Sequence, residues 1–312
     1  MAETTELSAR AVSKLYKRGT VTTGSGTLLL IAVAYFLDIG LFTNIAGGIQ
    51  LAVFLAHGLP QRSEKFYDLS GSFTHLALVL TSLLSERRDR SARQLFVAVA
   101  STMWLTRLGT FLYSRILRDG RDERFDKLKQ VWLSFLGAWA LQALWVTLVQ
   151  LPIVLLNTVD DPAHTTGSLD VFAMVLFAAG FLIEAAADSE KLAFRSVPEN
   201  RHKFLTTGLW SYSRHPNYFG EITMWCALSL LCSSAAFDGA PAKLHAAWLS
   251  PAFSALLLLK VSGVPLVEAA GEKKWGKDPA YRKYMKNTPC VIPFLPPAWS
   301  PPLPQRTADK QK

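Results

Sequence analysis

The sequence predicts an all-α fold, a polytopic membrane bundle of about seven helices (seven or eight), and three observations carry that expectation. Half of the 312 residues are hydrophobic and only 18% are charged, against roughly 25% charged in an ordinary soluble domain. The mean hydropathy of +0.20 conceals long apolar blocks separated by short basic ones, the pattern of a chain that crosses a bilayer repeatedly. The net charge of +9 falls in loops beside those blocks, so topology and phospholipid headgroups explain it better than nucleic acid does. Composition therefore argues against a soluble enzyme and against a disordered chain.

Taken in order, residues 1–23 form a basic N-terminal segment with Glu3, Glu6, Arg10, Lys14, Lys17 and Arg18. No small-residue cleavage site follows an apolar core there, so a cleaved signal peptide is not expected. Residues 24–59 are apolar but interrupted by Asp38, Asn44 and Gly47-Gly48, which fits one long tilted span or two short ones. Further spans are expected near 69–84, 94–117, 130–156, 169–187, 217–236 and 246–267, each able to cross a hydrocarbon core of about 30 Å. The membrane domain is thus read as 24–294, and 295–312 as a proline-rich polar tail. Within that end of the chain, PFLPPAWSPPLP from Pro293 to Pro304 cannot continue a helix.

Basic residues in short loops stay on the cytoplasmic side. That rule places 118–129, 189–215 and the segment after the last span in the cytoplasm, and it leaves the loop at 86–93, with Arg87, Arg88, Arg90 and Arg93, on the opposite side. The expected location is an integral multi-pass one: the endoplasmic reticulum or another intracellular membrane in a eukaryote, the plasma membrane in a bacterium. Three cysteines, Cys226, Cys232 and Cys290, make neither a disulfide framework nor a four-ligand zinc site. His57, His75 and His245 have no sequence neighbours that suggest a metal, and no metal is expected.

Ionisable groups inside spanning segments are costly and point to function by default. Glu184, Asp188, Lys191 and Arg195 recur at a spacing that puts them on one helical face, within an arc of about 60°. Arg107, Ser114 and Arg118 repeat that arrangement in WLTRLGTFLYSRILRDG. A buried arginine needs an anion, which is either a carboxylate such as Glu184 or Asp188 or a phosphate of a cofactor. In GLWSYSRHPNYFGE, residues 208–221, Pro216 suits the first turn of a helix. Arg214 and His215 then flank a helix N-terminus whose free N–H groups attract anions. Asn217 and Glu221, four apart, share one face.

That string, preceded by EAAADSEKLAFR and followed by SGVPLVEAAGEKKWG and YRKYMKNTPCVIPF, resembles the steroid 5α-reductase-like membrane proteins. It is most similar to their branch long catalogued as a domain of unknown function. FYDLSGSFTHL and TRLGTFLYSRI resemble upstream motifs of that branch, so the resemblance spans roughly 60–294. It implies a multi-helix membrane protein, and characterised reductases of the superfamily use NADPH to reduce a carbon–carbon double bond in a steroid or other lipid. It also implies cofactor contacts at Asp188, Arg195, Asn217, Tyr218 and Glu221, with Arg107 and the stretch around Tyr284 as further candidates. Glu184, Arg214 and His215 join them from the polar stripe and the helix N-terminus. The expected partners are the lipid bilayer and a lipid or steroid substrate, with no nucleic acid.

The same superfamily holds isoprenylcysteine carboxyl methyltransferases, which use S-adenosylmethionine, so that cofactor is the alternative. In the reductases an acid follows the motif glycine, as Glu221 does here. The methyltransferases usually carry an aromatic residue there and a glutamate pair later, where this chain has Glu268 followed by Ala269. One departure from some steroid reductases is a missing arginine before Ile-Pro-Phe, with Lys286 as the nearest cation. Enone reduction needs a donor aimed at the carbonyl oxygen and a proton for the carbon skeleton. Glu221, Asp68 and Tyr67 are the candidate catalytic residues. A non-catalytic membrane or assembly protein that keeps the fold is the third reading.

Overall fold

The computed structural model describes residues 9–84, 89–161 and 166–295, and among these every regular element is helical. Glu3, Glu6, Arg87, Arg88 and the proline-rich tail from residue 296 lie outside the described residues.

The stretch that allowed one span or two resolves into two helices. α1 (Ala9–Leu37) ends at Asp38, whose φ of 56° breaks the backbone, and α2 (Gly40–Val53) follows. The basic residues from Arg10 to Arg18 and the first apolar stretch therefore share one element. α2 widens into a π turn at Phe54–Gly58 and finishes as α3 (Leu59–Gln61), stopped by Arg62 in the left-handed region. α4 (Tyr67–Leu84) comes next, then α5 (Ala92–Asp119). Ser91 and Gln94 cap α5 reciprocally at its start, which satisfies two of its orphan N–H groups. α6 (Trp132–Val149) is separated from α7 (Leu151–Asn157) at Gln150, just ahead of Pro152. α8 (Ser168–Ser196), α9 (Pro216–Phe237), α10 (Leu249–Leu256), α11 (Val264–Trp275) and α12 (Pro279–Asn287) complete the order.

Among the described residues, seven helical stretches are long and apolar enough to cross a membrane: Ala9–Leu37, Gly40–Gln61, Ala92–Arg118, Trp132–Val149, Ser168–Ser196, Pro216–Phe237 and Ala242–Trp275. The chain is a multi-pass membrane protein of the helical-bundle class. α4, expected as a span from residue 69, is a full-length helix but does not belong to that set. Its apolar character is diluted by Ser70, Thr74, His75 and Ser82, all buried, so its polar groups are matched by protein rather than lipid.

The chain divides into two compact units, Met1–Thr166 with Cys232–Leu249, and Gly167–Leu231 with Ser250–Lys312. In the first, Phe54, Phe125, Phe135 and Trp139 form an aromatic core, with Phe54 and Phe135 edge to face at 5.6 Å, a favoured aromatic geometry. A neutral polar seam runs beside it. Gln50 Nε2 donates to Thr74 Oγ1 at 2.8 Å, Ser70 Oγ donates to Gln50 Oε1 at 3.1 Å, and Gln142 Nε2 donates to the Tyr67 carbonyl at 2.7 Å.

Two of the four arginines in the loop at 86–93, Arg90 and Arg93, have fixed partners in this unit. Arg90 donates to the carbonyls of Ser82, Leu83 and Asn157 at the ends of α4 and α7, where helix termini leave carbonyls unsatisfied. Arg93 pairs with Asp161 at 3.0 Å and with Asp238. Only 3% of the Arg93 side chain and 1% of the Asp161 side chain are exposed, so their charges cancel inside the fold.

Candidate functional site

The second unit assembles the motif that the sequence singled out. α8 and α9 cross through two glycines. A Cβ on Gly180 would stand 2.8 Å from the Gly220 carbonyl oxygen, and one on Gly220 would stand 2.6 Å from the Gly180 oxygen. Only hydrogens fit at that crossing, and the backbone approach sets Glu184 and Asp188 of α8 beside the first turns of α9. Asn217 Nδ2 donates to Asp188 Oδ1 at 3.2 Å, which ties the polar stripe to the motif.

The connection into α9 is built with equal economy. Gly208 sits at φ 62°, and a Cβ there would meet the Glu190 carboxylate at 2.4 Å, so glycine is required on both conformational and steric grounds. Glu190 Oε2 accepts from the Leu209 N–H at 3.0 Å, and Trp210 Nε1 donates to the Ala187 carbonyl at 3.1 Å. Lys191 lies 5.2 Å from the centroid of the Trp210 ring, and Tyr284 donates its hydroxyl proton to the Trp210 carbonyl at 2.8 Å. Ser213 Oγ donates to the Val291 carbonyl at 2.7 Å and accepts from the His215 N–H at 3.1 Å. These bonds fasten the motif to the segment after α12.

Arg214 and His215, expected to face a phosphate, turn inward. Arg214 Nη1 stands 3.1 Å from Glu268 Oε1, and His215 Nε2 donates to the same oxygen at 3.2 Å. All three residues are at most 5% exposed. Burial holds the His215 imidazole below its ordinary value, with Arg214 and Lys191 acting in the same direction and Glu268 against it. The ring therefore acts as a neutral Nε2–H donor. Tyr218 stacks on it, with centroids 5.0 Å apart and planes 2° from parallel.

Glu268 is the site residue whose role the sequence did not reveal. It had been weighed only as the remnant of a glutamate pair, whereas it is the anion that a buried Arg214 requires. Cys290 Sγ is 3.8 Å from Glu268 Oε1, and burial beside that carboxylate pushes the thiol up to about 11. His215, Glu268 and Cys290 bring their ligand atoms within 4.8 Å of one another, but the Arg214 guanidinium already supplies the positive charge there.

The remaining candidates separate. Glu221 is half-buried on α9, one turn beyond Asn217, while Arg195 and Lys286 are exposed. Tyr67, Asp68 and Arg107 belong to the first unit. The Tyr67 hydroxyl donates to the Ala138 carbonyl at 3.0 Å, and Asp68 Oδ2 pairs with Arg115 at 3.1 Å. Both side chains thus have partners within their own unit, and Arg107 is half-buried on α5.

An apolar chamber of about 640 Å³ opens along α9 in the second unit. Phe219, Ile222, Thr223 and Cys226 of α9 line it, with Leu176 and Leu259 among the residues opposite. A volume of this order accommodates a drug-sized or lipid-sized ligand.

The model of a family described as "Protein of unknown function (DUF1295)" matches residues 54–288 of the chain. No solved structure matches it.

Proposed function

The chain belongs to the DUF1295 family, and from that premise we propose that it is an NADPH-dependent membrane reductase of a carbon–carbon double bond in a steroid or other lipid. One observation carries the reading: α9 walls a lipid-sized apolar chamber with Phe219, Ile222, Thr223 and Cys226 and bears Asn217 and Glu221 on its other face. The resemblance of the motif to steroid 5α-reductase-like proteins supports it.

The donor set fits a nicotinamide dinucleotide. Asn217 commits its Nδ2 to Asp188, and its Oδ1 is buried with no hydrogen-bond partner, an acceptor suited to a carboxamide N–H. Lys191 and Arg195, toward the C-terminal end of α8, suit its phosphates. NADPH supplies hydride when bound. Glu221 then holds a proton at a carboxyl oxygen, and the apolar walls of Phe219 and Ile222 exclude water from the reacting carbons. His215 and Arg214 act on the frame, since Glu268 engages both.

Two measurements on the detergent-solubilised chain test the proposal. NADPH should raise the unfolding temperature while S-adenosylmethionine does not, because a ligand of the native state stabilises by mass action. NADPH absorbance should then fall with at least one member of a panel of enone lipids. A shift with S-adenosylmethionine alone would reassign the protein as a methyltransferase. Silence with both cofactors would favour a membrane protein without catalysis.

A further inference from the structure

A second, smaller cavity lies in the first unit, apart from the α9 motif. It measures about 50 Å³ and is lined by Asp68, Ser72, His75, Gln142, Trp104 and Trp145, with leucines of α5 completing its wall. Most of its polar lining is already engaged. Asp68 pairs with Arg115, Ser72 Oγ donates to the Asp68 carbonyl at 3.1 Å, and Gln142 Nε2 donates to the Tyr67 carbonyl.

His75 differs. It is 2% exposed, and its Nδ1 lies 2.9 Å from Gln150 Nε2. Ser101 Oγ donates to Gln150 Oε1 at 3.1 Å and accepts from Gln150 Nε2 at 2.8 Å. The amide NH₂ can only donate, so Nδ1 is the acceptor and the ring proton resides on Nε2. Nε2 is buried and meets no hydrogen-bond partner. Trp104 and Trp145 hold the imidazole edge to face, at centroid distances of 5.2 Å and 4.9 Å, so the ring does not turn to find one. A buried N–H without an acceptor is costly. Here the ring that carries it is held by three neighbours and lines the cavity.

We propose that this cavity receives the carbonyl oxygen of an uncharged, apolar lipid, with His75 Nε2–H as its donor. Size admits a carbonyl group but not a sugar. The Asp68 carboxylate in the lining disfavours an anion, and Leu105, Leu108 and Leu112 offer an apolar path for the attached chain. The site does not depend on the reductase reading, since it needs neither cofactor nor Glu221.

The test uses the full chain in detergent with methyl nonyl ketone, carbon-13-labelled at the carbonyl, against undecane. In protein carrying nitrogen-15 histidine, ketone should shift the His75 Nε2 resonance, identified by its loss in His75→Phe, and leave Nδ1 acceptor-like, while undecane shifts neither. The ketone should bind on the order of 10-fold more tightly than undecane, as one neutral hydrogen bond allows. His75→Phe, which keeps a ring in the aromatic cage, should erase that preference, and His75→Gln should restore part of it. If His75→Phe does not fold, loss of the resonance in His75→Gln identifies it and the wild-type spectra then decide. An Nε2 resonance that ignores the ketone, a bound water only, or equal affinity for ketone and alkane would overturn the proposal. Failure of NADPH to bind would leave it standing.

Discussion

Both units bury ion pairs, Arg93–Asp161 in the first and Arg214–Glu268 in the second, but they differ in what lies beside those pairs. The first carries a neutral seam of Gln50, Ser70, Thr74 and Gln142, whose amides and hydroxyls satisfy one another. The second carries a charged knot, in which Arg214 and His215 share one oxygen of Glu268 at 3.1 and 3.2 Å. Neutral hydrogen bonds are inexpensive to bury and specify which helices meet. Buried charges lose hydration that their mutual attraction only just restores, so such a knot contributes little net stability. Its presence beside the α9 motif marks a place where geometry is held for a use other than stability.

The largest effect that could break this comparison is at Glu268. Glu268→Gln removes the anion and leaves Arg214 buried with its charge, which should cost about 3–5 kcal/mol in denaturant unfolding. A loss no larger than that of a neutral-seam variant would erase the distinction between the units. Gln142→Leu is that variant, and by removing the hydrogen bonds from Gln142 to the Tyr67 carbonyl, Gln50 and Ser70 it should cost about 1–3 kcal/mol. Gly220→Ala falls in the same range, about 1–3 kcal/mol, because the added methyl meets backbone rather than a yielding side chain. It should also weaken NADPH binding, whereas Gln142→Leu should not.

A pH titration sharpens the contrast further. The folded His215 imidazole has its pKa depressed, chiefly by burial. As pH falls below the unfolded value of about 6.5 the unfolded chain takes up a proton first, so stability is lost until the folded ring also protonates. His215→Gln should flatten that acid slope in melting temperature. The smallest change belongs to Arg124→Gln in the loop of the first unit. Its Arg124–Asp122 pair is 58% exposed on the arginine side, so stability should move by about 1 kcal/mol or less.

The helices were legible because membrane spans are written in runs of apolar residues, and the two-helix solution of 24–59 was already signalled by Asp38. At 69–84 the apolar run correctly marked a helix, Tyr67–Leu84, but the run alone does not show that its polar residues are buried against protein. At the site, four-residue spacing correctly put Asn217 and Glu221 on one face. The spacing rule cannot reach across helices, so it gave Arg214 a phosphate to bind when Glu268, on another helix, neutralises it. His75 was passed over for the same reason, since its partners Gln150, Ser101, Trp104 and Trp145 are distant in sequence.

The arginines at the start of α5 have one more consequence, which concerns the order in which the chain is made. Arg93 emerges 68 residues before Asp161 and 145 before Asp238, and Arg90 precedes its Asn157 carbonyl by 67. Until those later segments are synthesised, Arg93 lacks both carboxylates, and of the Ser82, Leu83 and Asn157 carbonyls Arg90 keeps only the two on α4. A fragment that stops short of Asn157 therefore lacks both carboxylates that neutralise Arg93 and the α7 carbonyl that holds Arg90.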